Sequence, residues 1–311
     1  MPNVAHTSMP PAARSRFLEL AALAAVAHMR FSTRHRIEGA FSGRHASRQQ
    51  GGAGEFVDFR EYSGGEDLRR LDWKVYARTG KAFVRLHQDE TNLLCTLALD
   101  ASGSMQFGAR SESISTGSKL EYAQFLATAL SHVIGQGQDQ IGLAVLRGEL
   151  DEMLPPGGTT THITRVQHAI EQLTTQPTTN MAPGLRRLFE RSSRRGVLVL
   201  VSDFLMDDLE GVFAALRLFR HRAWEVIVLH LVHPAEERLP DGTAYRFEGL
   251  ENDGTVPCSP AEIRAAYAER FANHLATVRQ HAMSDGCDYR RISTAMPYLQ
   301  VLGGFLVERS G

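Results

Sequence analysis

From residue 91 onward, short apolar runs alternate with amphipathic segments, and this alternation constrains the fold more than any other feature of the sequence. The apolar runs are continuous, as strands are when both faces of a parallel sheet are buried. The segments between them carry apolar residues at three- and four-residue spacing, which is typical of helices. The pattern predicts a doubly wound α/β domain, in which helices cover both faces of a mostly parallel sheet.

The predicted elements divide the chain into two parts. Strands are predicted over residues 93–100, 140–147, 149–155 (an edge strand), 196–203, 225–232 and 287–293. Helices are predicted over residues 119–136, 161–175, 181–193, 207–222, 261–283 and 297–307. A polar stretch near 233–260 is expected to be an insertion. Residues 91–311 therefore form the α/β domain, and residues 1–90 are predicted to hold an N-terminal helix, a basic loop and a small β segment.

Composition and charge exclude several classes of function. The formal net charge is −1, so no overall field favours nucleic acid or an anionic membrane. The three cysteines, Cys95, Cys258 and Cys287, form no CxxC pair, and their odd number argues against a disulfide framework. We therefore expect a cytoplasmic protein. The apolar run 17–29 is too short to span a bilayer, so we expect a helix packed on its own protein, with peripheral membrane contact as the alternative.

The stretch "TLALDASGSMQFG" places oxygen-bearing side chains directly after an apolar strand. Asp100, Ser102 and Ser104 occupy alternate positions there. One interpretation is an ordinary Ser/Gly turn whose hydroxyls bond the backbone. The other is a metal site, because ligands of doubly wound sheets bind beyond the carboxyl ends of the strands. Met105 and Phe107, which follow the serines, are expected to lie in the core.

A second carboxylate, Asp203, follows the predicted strand 196–203, and the triplet "TTN" at 178–180 precedes a predicted helix. Oxygen ligands of this kind suit a hard cation, and Mg²⁺ is the first candidate, with Mn²⁺ or Ca²⁺ as alternatives. No His or Cys lies nearby at zinc spacing.

The D-x-S-x-S pattern resembles the signature of von Willebrand factor A domains, in which it forms a metal-ion-dependent adhesion site (MIDAS). The resemblance implies that Thr179 and Asp203 complete the ligand set. Thr159, after two glycines, is the rival for the threonine position, but we expect it to cap the helix that follows.

The segment "GAGEFVDFREYSGGEDLRRLDWKVYARTGKAFVR" (52–85) is similar to a pattern of the bacterial family catalogued as domain of unknown function fifty-eight. The resemblance runs from about residue 43 to the end of the chain. Its members carry a von Willebrand A-like domain and are often encoded beside MoxR-type AAA+ ATPases. Glu66 stands where the family usually has Asp. The charged and aromatic residues of this segment are expected to form a structural network, with a partner-binding surface as the alternative; they are Asp58, Arg60, Glu66, Asp67, Arg69, Asp72, Trp73 and Arg78.

These observations predict a metal-dependent protein-binding module rather than an enzyme. A carboxylate of a protein partner would complete the coordination of the cation, and the resemblance implies an adaptor or co-chaperone of a MoxR-type ATPase or its client. The alternative is a metal-dependent phosphoesterase that uses the same strand-end carboxylates. The sequence has no G-x-S-x-G elbow and no phosphate-binding glycine motif, which argues against a serine hydrolase and a nucleotide-binding protein.

Overall fold

The computed structural model describes residues 17, 23–24, 26, 28–33, 45–46, 55–62, 71–88, 90–91, 93–108, 117–177, 180–192, 195–242, 245–251 and 254–310. The predicted helix over residues 17–29 lies for the most part outside this set.

The strands and helices follow the predicted alternation closely. The strands are β1 His45–Ala46, β2 Glu55–Glu61, β3 Phe83–Gln88, β4 Glu90–Thr91, β5 Leu94–Asp100, β6 Gln140–Arg147, β7 Glu149–Gly157, β8 Val197–Ser202, β9 Glu225–Val232, β10 Tyr245–Glu248, β11 Thr255–Cys258 and β12 Asp288–Ser293. The helices are α1 Trp73–Thr79, α2 Lys119–Gln136, α3 Thr160–Glu171, α4 Ala182–Arg191, α5 Leu209–His221, α6 Pro234–Glu237, α7 Pro260–Ser284 and α8 Tyr298–Ser310.

The central sheet has six strands in the order β12-β9-β8-β5-β6-β7. All neighbours are parallel except β7, which pairs antiparallel with β6 at the edge. The chain leaves β5 toward β6 and later returns to β8 on the other side of β5, so the direction of winding reverses between β5 and β8. A crevice between the strand ends forms at such a reversal. Away from this sheet, β2 pairs with β3, β1 with β4 and β10 with β11, all antiparallel.

Helices cover both faces of the sheet, as predicted. Alternate residues of β5 show why: Cys95, Leu97 and Leu99 belong to the core under α2, α3 and α8. Ala98 belongs to the core under α4, α5 and α7. Both sets of side chains are fully buried. The sequence of the strand is therefore a continuous apolar run and does not alternate between apolar and polar residues.

The predicted end of helix 161–175 is wrong, because α3 ends at Glu171. The buried amide of Gln124, on α2, donates to the carbonyl oxygens of Ile170, Glu171 and Leu173 at 2.9, 3.3 and 3.3 Å. These bonds satisfy carbonyls that the helix end leaves open. The chain beyond α3 is then free to extend, and Gln176 pairs in parallel with Ser102.

The polar insertion near 233–260 has structure that its composition did not predict. It contains the short helix α6 and the hairpin β10–β11, whose tip is closed by a hydrogen bond from the Gly249 N–H to the Gly254 carbonyl oxygen at 2.8 Å.

A buried arginine ties the last helix to the sheet. The Arg309 side chain is fully buried and pairs with Glu225 of β9 and with Asp288 of β12, the second at 3.0 Å. It also donates to the Ser32 carbonyl oxygen at 2.8 Å. Three segments that are distant in sequence therefore share one cation.

We expect Arg309→Ala to lower the free energy of unfolding by about 3–5 kcal/mol, because removing one partner leaves buried carboxylates uncompensated. Arg187→Ala is the matched control: its pair with Glu149 is exposed, with 52% and 63% of the two side chains accessible. This control should cost less than about 1 kcal/mol. Urea denaturation of both variants measures the difference, and equal losses would contradict the assignment of Arg309 as a central tie.

Candidate functional site

The candidate site lies at the carboxyl edge of the sheet, where the winding reverses. Asp100 is the last residue of β5, and Asp203 directly follows β8, its neighbour in the sheet. Both side chains are buried, at 1% exposure each. The structure thus brings together the two carboxylates that the sequence placed at separate strand ends.

The turn after Asp100 holds its two serines side by side. It forms a short 3-10 helix over Gly103–Gln106. The hydroxyl oxygens of Ser102 and Ser104 are 3.1 Å apart, and both residues are buried. A Cβ on Gly103 would lie 2.2 Å from the Leu250 carbonyl oxygen, so only glycine fits between the two serines.

Both oxygens of Asp100 accept hydrogen bonds that fix the carboxylate. The Ser102 N–H donates to Oδ1 at 2.9 Å, and the Ser202 hydroxyl donates to Oδ2 at 2.5 Å. Each carboxylate oxygen keeps a second lone pair, so these bonds orient Asp100 without exhausting its capacity as a ligand.

A buried lysine, which the sequence analysis did not single out, lies within the site. Lys119 Nζ is 2.6 Å from Asp203 Oδ2 and also pairs with the Glu236 carboxylate. The other Asp203 oxygen accepts the Leu205 N–H at 3.0 Å. Lys119 begins α2, and Glu236 lies in α6 just beyond the end of β9, so a third strand end contributes to the cluster.

The two aspartates have opposite pKa shifts for a physical reason. Burial, together with repulsion from Asp203, raises the pKa of Asp100 to about 6. Burial also acts on Asp203, but the Lys119 ammonium outweighs it and holds the pKa of Asp203 below its ordinary value. The same two carboxylates, Asp203 and Glu236, raise the pKa of Lys119 despite its burial, so the lysine stays protonated.

The site has an excess of negative charge when its carboxyl groups are ionised. Its buried carboxylates, Asp100, Asp203 and Glu236, carry three negative charges, and Lys119 supplies one positive charge. The half-buried Glu251 adds a further carboxylate on the Ser104 N–H. His230 adds no charge, because burial lowers its pKa to about 3. Two negative charges are left uncompensated, which is costly in a buried site and would be relieved by a divalent cation.

The available ligands are oxygens of mixed type. In the described ranges, no group of three or more His, Cys, Asp or Glu side chains is placed to hold a metal ion by itself. A cation would therefore need the hydroxyls of Ser102 and Ser104 beside the aspartates. Hard cations such as Mg²⁺ accept such oxygen ligands and retain water in the remaining positions.

Four of the five predicted site residues lie together in the structure. Asp100, Ser102, Ser104 and Asp203 gather at one edge, whereas Thr179 lies outside the described residues. Thr159 caps α3, as predicted: its hydroxyl accepts the His162 N–H at 3.2 Å.

The sequence analysis missed Lys119, Glu236 and Glu251. A signal existed for the first two. A lysine in the first turn of a helix opposes the helix dipole, and Glu236 follows a predicted strand end. Glu251 accepts the Ser104 N–H at 3.2 Å, but the two residues are 147 positions apart in the sequence. No local sequence pattern could therefore indicate this contact.

Two other expectations are corrected in part. Met105 is fully buried, as predicted, but Phe107 is only half-buried and borders an open cavity.

In the N-terminal motif, Asp72 has a structural role, since its carboxylate caps α1. Trp73, by contrast, is 58% exposed, and its ring meets that of Tyr76 edge-on with 6.1 Å between the centroids. Glu66, Asp67 and Arg69 lie outside the described residues.

Comparison with known proteins gives a family and relatives of unknown function. The chain matches the family described as "Protein of unknown function DUF58" over residues 58–277. Uncharacterized proteins of Mycobacterium tuberculosis and Mycobacterium bovis are 27% identical over 303 residues, which cover 92% of this chain and 89% of theirs.

Solved structures show weaker similarity. The conserved hypothetical protein BatB from Bacteroides thetaiotaomicron aligns with 70% of this chain and 99% of its own, at 16% identity and a TM-score of 0.49. An aerotolerance-related membrane protein from Bacteroides fragilis aligns with 70% of this chain and all of its own, at 19% identity and a TM-score of 0.42. None of the helices described in this chain has the length and apolar content needed to cross a bilayer.

We expect Lys119→Met to lower the free energy of unfolding of the metal-free protein by about 3–5 kcal/mol, because Asp203 and Glu236 would lose their shared cation. The double variant Lys119→Met/Glu236→Gln removes one charge of each sign and should recover part of this loss. Chemical denaturation in EDTA measures both. A single variant as stable as wild type would show that the buried pairs contribute little.

The raised pKa of Asp100 predicts how stability changes with pH. Between about pH 4 and about pH 6 Asp100 keeps its proton in the folded protein and has lost it in the unfolded chain, so the contribution of Asp100 to the stability of the metal-free protein should fall as pH rises through this range. At pH 7 the ionised carboxylate costs about 3 kcal/mol. Asp100→Asn should remove this component and stabilise the protein at pH 7. Parallel stability curves for wild type and variant in EDTA would contradict the prediction.

Proposed function

Because this chain belongs to the DUF58 family, whose function is unknown, we propose from the chemistry of its site that it is a metal-dependent protein-binding module and not an enzyme. The observation that carries the proposal is the pair of buried aspartates beside two buried serine hydroxyls, with one lysine to balance the carboxyl groups of the cluster. A divalent cation, Mg²⁺ in the first place, would complete this charge balance.

The proposed ligands are Asp100, Ser102 and Ser104, with Asp203 and Thr179 binding the cation directly or through water. This is the ligand set of a MIDAS-type site in a von Willebrand A-like domain. Gln176, three positions before Thr179, pairs with Ser102, and this supports the choice of Thr179. The cation would supply an electrophilic centre whose open position accepts a carboxylate oxygen of a partner.

Binding is favoured over hydrolysis by the state of Lys119. A lysine engaged by two carboxylates, with its pKa raised, stays protonated and cannot act as a general base. The ammonium instead holds Asp203 and Glu236 in place beside the proposed cation. The chain's own residues thus supply position and charge, and the partner supplies the remaining ligand.

The proposed partner is a protein that presents an acidic side chain. The resemblance to the DUF58 family suggests an adaptor or co-chaperone acting in the cytoplasm with a MoxR-type AAA+ ATPase, or with a client of that ATPase.

We expect wild-type protein to bind Mg²⁺ in calorimetry and Asp100→Ala to bind it at least tenfold more weakly, since the variant loses a charged ligand. Asp139→Asn is the matched control. Asp139 is a buried aspartate at the amino ends of β5 and β6, the end of the sheet opposite the candidate site. It accepts a backbone N–H from Leu93 at 2.9 Å. This control should leave Mg²⁺ affinity unchanged.

Equal Mg²⁺ affinity in wild type and Asp100→Ala would overturn the proposed site. Mg²⁺-dependent hydrolysis of p-nitrophenyl phosphate that disappears in Asp203→Ala would overturn the choice of binding over catalysis.

A further inference from the structure

The tip of the β10–β11 hairpin lies on the turn that carries the two serines. The Leu250 carbonyl oxygen approaches Gly103 so closely that no side chain fits there. The next residue, Glu251, accepts the Ser104 N–H through its carboxylate at 3.2 Å. The Glu251 carboxylate therefore already lies at the mouth of the proposed cation site, held there by the contact of the Leu250 backbone with the turn.

The hairpin is attached to the domain loosely. Its two strands pair with each other and with no strand of the central sheet. Most of its described residues are exposed. A two-stranded hairpin is at best marginally stable by itself, so it can shift without breaking the sheet.

An open cavity separates the hairpin from the turn. Its volume is about 490 Å³, and its walls include Phe107 on the turn side and Phe247 and Leu250 on the hairpin side. A cavity of this size accommodates a large apolar side chain, and its aromatic walls favour one.

A buried hydrogen-bond donor borders the same cavity. His233 is fully buried, and its Nδ1 accepts the Ala235 N–H at 3.2 Å, which places the imidazole proton on Nε2. In the described residues this Nε2 has no hydrogen-bond partner. Buried donors are rarely left without an acceptor, and a backbone carbonyl of a bound segment would provide one.

We propose that the cleft between the hairpin and the serine turn binds a partner segment in which a bulky apolar residue is followed by an acidic one. The carboxylate of this segment takes the place of the Glu251 carboxylate at the Ser104 N–H and binds the cation, and its apolar side chain fills the cavity beside Leu250. The proposal rests on the proposed function and specifies the partner's chemistry. The chain's own Glu251 carboxylate is a built-in occupant that the partner must displace.

Competition from the Glu251 carboxylate determines how much the affinity for the partner segment should change when Glu251 is replaced. A carboxylate tethered by a short loop competes at an effective concentration in the millimolar range. Removing its charge should therefore strengthen the binding of an external acidic segment, whereas removing a charge that lies away from the cavity should not.

The test uses the 311-residue chain, MgCl₂ and the labelled peptide acetyl-Gly-Leu-Glu-Asn-amide, which copies residues 249–252. Fluorescence polarisation should show at least tenfold tighter binding to Glu251→Gln than to wild type. Asp241→Asn, just before the hairpin, is the control variant and should behave as wild type, because Asp241 is 96% exposed and pairs with Arg264. In the Glu251→Gln background, Phe247→Ala should weaken binding about fivefold, and Val256→Ala, its exposed cross-strand partner, should not.

Two results would overturn the inference: equal affinity of wild type and Glu251→Gln, or equal binding of a peptide with Gln in place of Glu. Calorimetry of Mg²⁺ on the same variants separates this failure from failure of the proposed function. If Mg²⁺ binds but the peptide binds wild type and Glu251→Gln equally well, the further inference is wrong and the proposed function stands. If Mg²⁺ does not bind, the proposed function falls, and the peptide titration without metal still decides whether the cleft takes an acidic segment.

Discussion

The repulsion between two carboxylates buried at neighbouring strand ends is the constraint on which the rest of the site depends. Asp100 and Asp203 end β5 and follow β8, so the topology of the sheet fixes their proximity. Water cannot screen them there, and the pKa of Asp100 rises as a result. Several neighbouring groups reduce this repulsion: Ser102 and Ser202 donate hydrogen bonds to Asp100, and Lys119 supplies a positive charge beside Asp203.

Lys119 supplies the positive charge that compensates these carboxylates within the protein, but this compensation is incomplete. Its single positive charge is shared between Asp203 and Glu236, and Asp100 relies on hydrogen bonds from Ser102 and Ser202. Such bonds orient a carboxylate but do not neutralise it. The serine hydroxyls of the turn lie beside this uncompensated charge, which is why we place the cation there rather than at the lysine.

Much of the fold was predictable because the sheet imposes a simple pattern. A strand covered on both faces must be apolar throughout, and β5, β6, β8 and β9 were identified from that rule. The strand-end rule then located Asp100 and Asp203. What the sequence could not show depends on contacts between distant segments: the Gln124 amide that ends α3, the Glu236 carboxylate on Lys119 and the hairpin tip on Ser104. Phe107 was misplaced for the same reason, since its exposure depends on how the hairpin lies.

The central claim is that a divalent cation binds between the aspartates and the serine turn. Anomalous diffraction from crystals grown with Mn²⁺ tests it most directly, because Mn²⁺ scatters anomalously and accepts the same oxygen ligands as Mg²⁺. The account predicts a peak within coordination distance of the Ser102 and Ser104 hydroxyls and one aspartate, and no such peak in Asp100→Ala crystals. Anomalous peaks confined to the protein surface, with Lys119 alone balancing the buried carboxylates, would contradict it.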